Sequence, residues 1–491
     1  MNKKQSKGDQ VWSIEVHGIN PITDNERHGR PLELFWIWFA ANVGILGIVY
    51  GAILFASGLN LWQCVLVTLV GTIGSFIAVG LLCIAGVWGG APMLTLSRAS
   101  FGPRGNIAPT LISWISLVGW ETVLVVTSAY ALLGLLNLAG LPSNALWTVV
   151  SLVIVAALVV LFGLLGHATL VWLQRLATWL FGLLTLVIAI FLLGKTQWTH
   201  ILSAPGGSWN TGILSSFSLI AAGTGIGWIN SGADFSRYLP RHSSSKAIIG
   251  WTILGGTLPL FVLILIGFLL SSNVTHISTA SNPIQLIGTA LPSWMAIPYF
   301  VTAVGGIVVA AALNVYSSGL NLLNLGLKIK RYQAVIVDGV LMIAGAIYIM
   351  LIANNFLGPF ESFLSLLADG LTAWAAIFLV DMYKRRGYDQ AALADTGHTS
   401  HYFYTGGVNW IGLLTWLAGF LLSLSFTASP LFSGLFASTI IATNGLGFAL
   451  GSILSAILYA LFMRIDRHDR HTEQLALSAD TPETSGINSG D

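Results

Sequence analysis

The sequence predicts an all-α polytopic membrane protein of about twelve transmembrane helices. Three observations carry this. Of 491 residues, 55% are hydrophobic and 8% charged, and the mean hydropathy is +0.80, so one soluble core under a charged shell is excluded. Apolar runs of roughly 20 residues, each long enough to cross about 30 Å of hydrocarbon as a helix, recur along the chain. Lys and Arg gather in alternate connecting segments, the mark of loops on the cytoplasmic side.

The predicted spans are, in order, Phe35 to Ser57, Trp62 to Gly86, Ile107 to Leu135, Ala145 to Gly166, Leu170 to Leu193 and Thr211 to Ser231, then Ala247 to Ser271, Ala296 to Asn324, Gln333 to Ala353, Phe360 to Tyr383, Val408 to Phe426 and Ile441 to Met463. With the N-terminus inside, 19 of the 21 Lys and Arg fall in the tails and internal loops. Arg175 lies near the inner start of the fifth span and Lys195 in an outer loop. The count therefore predicts both termini in the cytoplasm and a multi-pass protein of the cell membrane. Residues 1–34 read as a cytoplasmic tail without a cleavable signal peptide, and residues 464–491, rich in Ser, Thr, Asp, Glu and Gly, as a disordered one. The net charge of +2 is spread over loops and tails rather than one face, so it points to topology and not to nucleic acid. Cys64 and Cys83 share the second span and read as small buried apolar residues, neither a disulfide framework nor a metal site.

Glycine marks where a solute could sit. The first span carries AANVGILG (Ala40 to Gly47) and the sixth AAGTGIGW (Ala221 to Trp228), at corresponding places in two five-span halves (residues 35–193 and 211–383). Paired broken helices of an inverted repeat expose carbonyls and half-helix ends near the midplane, where substrate and coupling ion bind. Close helix packing is the competing use of such glycines.

The stretches HGINPITDNERHGRPLELFWIWFAAN, PMLTLSRASFGPRGN, DFSRYLP, NVYSSGL and FLVDMYKRRGYD, in that order, resemble signatures of the purine-cytosine permease branch of the nucleobase:cation symporters. The resemblance implies two inverted five-helix repeats plus two further helices (residues 408–463), and gradient-driven uptake of a small heterocycle by a carrier that works as a monomer. It also places stacking aromatics at Trp120 and Trp228. Both lie mid-span after a glycine (Gly119 and Gly227), away from the span ends that lipid-belt tryptophans occupy. Asn314 of NVYSSGL offers a donor and an acceptor to a heterocycle edge. Asn42, Thr224 and Gly227, in the two interrupted stretches, complete the expected substrate set. The family's polar partner on the face of the third-span tryptophan is missing, because i−3 and i+4 are Leu117 and Leu124.

Beside Trp120 stands Glu121, about 100° around the helix. A carboxyl at membrane depth is a functional candidate, so Glu121 is expected either to bind an NH-rich substrate edge or to carry a proton. Asp369 in the tenth span is the second coupling candidate. Asp338 and Glu361 are expected to reach the interface. Asp234 and Arg237, at i and i+3, are expected to brace a cytoplasmic gate. Sodium-coupled relatives supply hydroxyls from the eighth span, whereas GGIVVAAAL (Gly305 to Leu313) has no Ser or Thr. Proton coupling is therefore expected and no cofactor or metal. The runner-up is a sodium-coupled carrier of allantoin, hydantoin, uracil or thiamine. From another class, an embedded enzyme lacks a catalytic cluster among the ten histidines, and a channel lacks a filter motif.

Overall fold

The computed structural model describes residues 11–12, 17–194, 196–274, 276–280, 282–353 and 357–463. Lys195, the N-terminal lysines, the expected disordered tail and the Glu361 side chain lie outside the described residues.

The long apolar runs are helical, as backbone in lipid requires. Span 1 is Leu32–Asn42 and Leu46–Ala56, bent by 63° at the break. Spans 2 to 5 are Leu61–Gly89, Ile107–Leu138, Ala145–Gly163 and His167–Leu193. Span 6 is in pieces: a π turn Trp209–Ile213, a helix Leu214–Gly223, a 3-10 turn Gly225–Trp228 and a short helix Gly232–Ser236. Spans 7 to 10 are Ser245–Leu270, Ser293–Asn324, Arg331–Ile347 with a π turn to Ile352, and Leu357–Arg385. Span ends are set locally. Asn60 accepts the Gln63 N–H to start span 2, and Gly90 ends it at φ +63, in the left-handed region.

Spans 11 and 12 are the helices Trp410–Ser425 and Gly447–Phe462. Each reaches about 24 Å by helical rise, shorter than the sequence suggests. Ile440–Thr443, read as the start of the last span, is a separate turn, closed by Gly445 at φ +64.

Helix packing shows the repeat. Span 1 packs on span 7 and span 6 on span 2; span 4 on span 8 and span 9 on span 3; span 5 on span 1 and span 10 on span 6; span 3 on span 8. Each contact maps onto another, and the last onto itself, when span n is exchanged with span n+5. Because five is odd, corresponding spans run in opposite directions, so the repeat is inverted. Spans 11 and 12 pack on each other and on span 10, outside this relation. Spans 3, 7 and 8 are mostly buried within the bundle, whereas spans 4, 5 and 9 turn most of their surface outward. Arg27, Arg98, Arg237 and Arg385 collect at one end, here the basic end.

Candidate binding site between the broken helices

At Val43 to Ile45 span 1 leaves the helix, and at Thr224 span 6 does so with φ −122 and ψ −109. The freed backbone groups find partners. Gly225 N–H donates to Ser75 Oγ at 3.1 Å, and the Thr224 hydroxyl donates to the Ile220 carbonyl at 2.6 Å. Ser75, on span 2, thus satisfies the broken sixth span, a role the sequence did not reveal.

Between the breaks lies a narrow cavity of about 50 Å³, walled by Asn42, Tyr50, Trp120, Leu124, Trp228 and Ile307, among others. Asn42 donates through Nδ2 to the Trp38 carbonyl at 2.8 Å, which leaves its Oδ1 as an acceptor at the cavity wall. The indole of Trp120 lies against Gly227, where an added Cβ would come within 2.8 Å of Nε1. Gly227 is thus a contact that keeps Trp120 in place. Phe360 and Phe363 of span 10 meet Trp120 edge-on, with ring centroids 6.0 and 5.8 Å away.

The expected set is brought together only in part. Asn42, Trp120 and Trp228 line the cavity, and Gly227 supports it. Thr224 turns toward span 2, with Oγ1 3.1 Å from Ser75 Oγ. Asn314 is buried one helical turn from the lining residue Ala310, and its Nδ2 bonds the Ala310 carbonyl at 3.4 Å. Tyr50 and Leu260 of span 7 are cavity residues that sequence reasoning missed. A tyrosine in the middle of an apolar span was the available signal for the first; for the second there was none.

Glu121 points away from this cavity. It is fully buried, neither carboxyl oxygen accepts a hydrogen bond among the described residues, and the polar groups facing it are Asp338 and Ser318. The expectation that Asp338 reaches the interface is corrected: its exposure is 0%. Trp114 Nε1 donates to its Oδ1 at 2.7 Å and the Ser318 hydroxyl to its Oδ2 at 2.6 Å. Spans 3 and 8 cover it, although it lies only two turns into span 9. Trp114 and Glu121, seven residues apart, share the helix face that meets spans 8 and 9.

Asp369 is remote from both places. It lines a second cavity, of about 260 Å³, at the end opposite the basic one, and accepts the Thr427 hydroxyl at 2.5 Å. Asp234 and Arg237 are buried at the basic end but bond different partners. Asp234 Oδ1 accepts the Met93 N–H at 2.7 Å, while Arg237 donates to the Gly18 carbonyl and the Tyr316 hydroxyl, both at 2.8 Å.

Where span 1 breaks beside span 8, hydrocarbon fills the space. Ala40, Val43, Leu173, Ala177, Phe181 and Val309 form a separate apolar cluster there. Gln174 of span 5 donates to the Val309 carbonyl at 2.9 Å. A cation site needs several oxygens converging on one point, and the Val309 carbonyl at this place already has a donor in Gln174.

Residues 21–449 match the family model described as permease for cytosine/purines, uracil, thiamine, allantoin. The chain belongs to that family. It is a membrane transporter, not an enzyme. It is 26% identical over 480 residues to the Bacillus subtilis protein YxlA, named as a purine-cytosine permease, with 94% of this chain and 99% of that one covered. It is 26% identical over 305 residues to the Saccharomyces cerevisiae purine-cytosine permease FCY2, covering 61% of this chain and 53% of that one. Among solved structures it is similar to Mhp1, a nucleobase-cation-symport-1 family transporter, in a closed conformation with bromovinylhydantoin bound. The TM-score is 0.74 at 20% identity, with 94% of this chain and 100% of that chain covered. For a sodium-coupled sialic acid symporter the TM-score is 0.58 at 13% identity, covering 90% of this chain and 92% of that one. These two likenesses bear on the fold alone.

Proposed function

We propose that this permease imports a nucleobase such as cytosine or a purine, or a related flat heterocycle, across the cell membrane in symport with protons. The observation that carries the substrate reading is the cavity between the two breaks, bounded by Trp120, Trp228 and Tyr50 with the Asn42 oxygen at its wall. Aromatic faces suit a planar ring and an amide oxygen suits an N–H edge. The orientation follows from charge: the basic end faces the cytoplasm, and both termini lie there. In this reading Asp234 and Arg237 close the cytoplasmic mouth. Thr224 and Asn314 come to the substrate only in another state of the cycle, because in this one their side chains bond within the bundle.

Glu121 is the coupling group. Its carboxyl lies deep in the bundle beside Ser318 and Asp338, where a charge must find a partner or a proton as the helices move. Its neighbour Trp120 touches the cavity from the same helical turn, so a rotation of span 3 that seats the substrate also moves the carboxyl. The apolar cluster between spans 1, 5 and 8 supports protons over sodium.

The test is uptake by purified protein in lipid vesicles of cytosine, adenine, uracil, allantoin, hydantoin and thiamine, with pH and sodium gradients imposed separately. Saturable uptake of one of them driven by the pH gradient is expected. Trp120→Ala is expected to abolish substrate binding in the central cavity and with it uptake, and Glu121→Gln to leave binding intact while uptake no longer follows the pH gradient. Uptake that needs sodium and ignores pH would overturn the coupling assignment.

A further inference from the structure

The 260 Å³ cavity at the end opposite the basic one has no part in the site above. It is bounded by the outer half of span 1, by span 6 before its break, by span 10 and by the segment joining spans 11 and 12. Ile53 and Ala222 line it, while Tyr50 and Gly223, one turn and one residue away, line the central cavity. The two compartments therefore stand in series, with the Tyr50 hydroxyl bonded to the Gly223 carbonyl at 2.8 Å between them.

The walls of this outer cavity hold hydrogen-bonding capacity that the fold leaves unspent. Asp369 is 3% exposed and uses one carboxylate oxygen on Thr427. Its other oxygen accepts no hydrogen bond among the described residues, and no Lys or Arg lines the cavity to neutralise it. Asn444, 1% exposed, spends its Nδ2 on the Ile440 carbonyl and leaves Oδ1 buried without a partner. Ser216 likewise has a buried, unpartnered hydroxyl. Phe426 and Phe448 supply flat apolar wall. Buried polar groups without partners are uncommon and costly, and a carboxylate is costlier still.

The geometry points to a second ligand site in this outer cavity, one that binds a planar heterocycle through adjacent N–H donors, such as the amino edge of an aminopyrimidine or aminopurine, on Asp369 and Asn444. It rests on the reading that the protein carries such heterocycles, and places a selecting station ahead of the Tyr50 barrier. Acceptors dominate at Asp369 and Asn444, so a ring edge offering two donors is favoured over one offering two carbonyl oxygens. Asp369 then acts in capture and selection rather than as a proton carrier.

Equilibrium binding of radiolabelled cytosine and adenine to the full-length protein in detergent tests this. Two ligands per molecule are expected for wild type, one for Asp369→Asn and one for Trp120→Ala, with none for the double variant. Asn444→Ala, which keeps the carboxylate, is expected to weaken the second site about fivefold, the loss of one neutral hydrogen bond. It serves as the independent arm should Asp369→Asn fail to fold. A single ligand per molecule in wild type, lost in Trp120→Ala and unchanged in Asp369→Asn and Asn444→Ala, would overturn the outer site while leaving the carrier reading intact. Binding of no heterocycle to wild type would remove both.

Discussion

The two barriers that flank the central cavity are built differently. Toward the basic end, Trp38 meets Trp228 and Phe235 edge-on, with centroids 5.5 and 5.7 Å away, and beneath them polar bonds tie several loops together. Arg237 holds Tyr316 and Gly18, Asp234 holds Met93, and Arg98 holds Asn324 and the Leu393 carbonyl. The segment before span 1 lies across this end, with Ile22 N–H bonded to the Gly90 carbonyl and His28 N–H to the Tyr238 carbonyl, both at 2.7 Å. Toward the other end, the closure between the cavities holds, among the described residues, one hydrogen bond from Tyr50 to Gly223, backed by Phe360 stacked on Tyr50 at 6.1 Å. A barrier of many charged bonds opens as a unit or not at all, whereas a single neutral bond is worth about 1 kcal/mol. The difference teaches that this conformation is held shut at the basic end and only latched at the opposite end, so the latched barrier is the first to yield.

The largest effect is expected at the heavy barrier. Among the described residues, Arg237→Ala removes the charge-assisted bonds to the Tyr316 hydroxyl and the Gly18 carbonyl, each worth roughly 1.5 to 3 kcal/mol. The population open to the cytoplasm is expected to rise about a hundredfold or more. A cysteine introduced at Ala41, beside the central cavity, would report it through labelling by an impermeant thiol reagent from the cytoplasmic face. Native Cys64 and Cys83 are buried and stay silent. Unchanged labelling would mean that the Arg237 network does not hold the barrier. Gly223→Ala should act next in size and from the other side. Its Cβ would fall 2.6 Å from the Tyr50 hydroxyl, forcing the ring away at a cost of about 1 to 3 kcal/mol. The same reporter should then label faster from outside by about tenfold, and slower labelling would show that the added methyl wedges the latch closed.

How much of this was legible in the sequence depended on whether the signal was local. Both breaks were, because Gly44 and Gly47, and Gly223 and Gly225, interrupt apolar runs where a lone helix has no reason to. So was the gathering of basic residues at one end, since Arg27, Arg98, Arg237 and Arg385 each report their own loop. Trp120 and Trp228 were found through glycine neighbours and family resemblance. What failed was direction. Glu121 follows Trp120 directly, and its turn toward Asp338 is fixed by spans 8 and 9, which no reading of span 3 alone contains; Trp114, on the same face, was the clue available. Asp338 looked interfacial from its place near a span start, yet the long spans 3 and 8 cover it. Asp369 had no motif around it because its partner, Thr427, comes from a connecting segment whose position is set by tertiary packing.

The smallest effect is the most discriminating. Tyr50→Phe deletes the hydroxyl and keeps the ring, so the packing against Phe360 and the wall of the central cavity survive while the Gly223 carbonyl loses its donor. Because that carbonyl sits at the break in span 6, beside cavity space, its loss is expected near the typical 1 kcal/mol, about a fivefold shift toward outward access. If the outer barrier is a latch, this variant should speed labelling of Ala41→Cys from outside about fivefold, leave labelling from the cytoplasm unchanged, and raise substrate affinity measured from outside by a similar factor, because a larger fraction of molecules is competent to bind. If instead labelling from both faces rises together, the Tyr50 bond supports the whole central bundle, and the two barriers are not independent. Equal labelling in Tyr50→Phe and wild type would leave the aromatic layer of Phe360 and Tyr50 as the closure, with the hydrogen bond incidental to it.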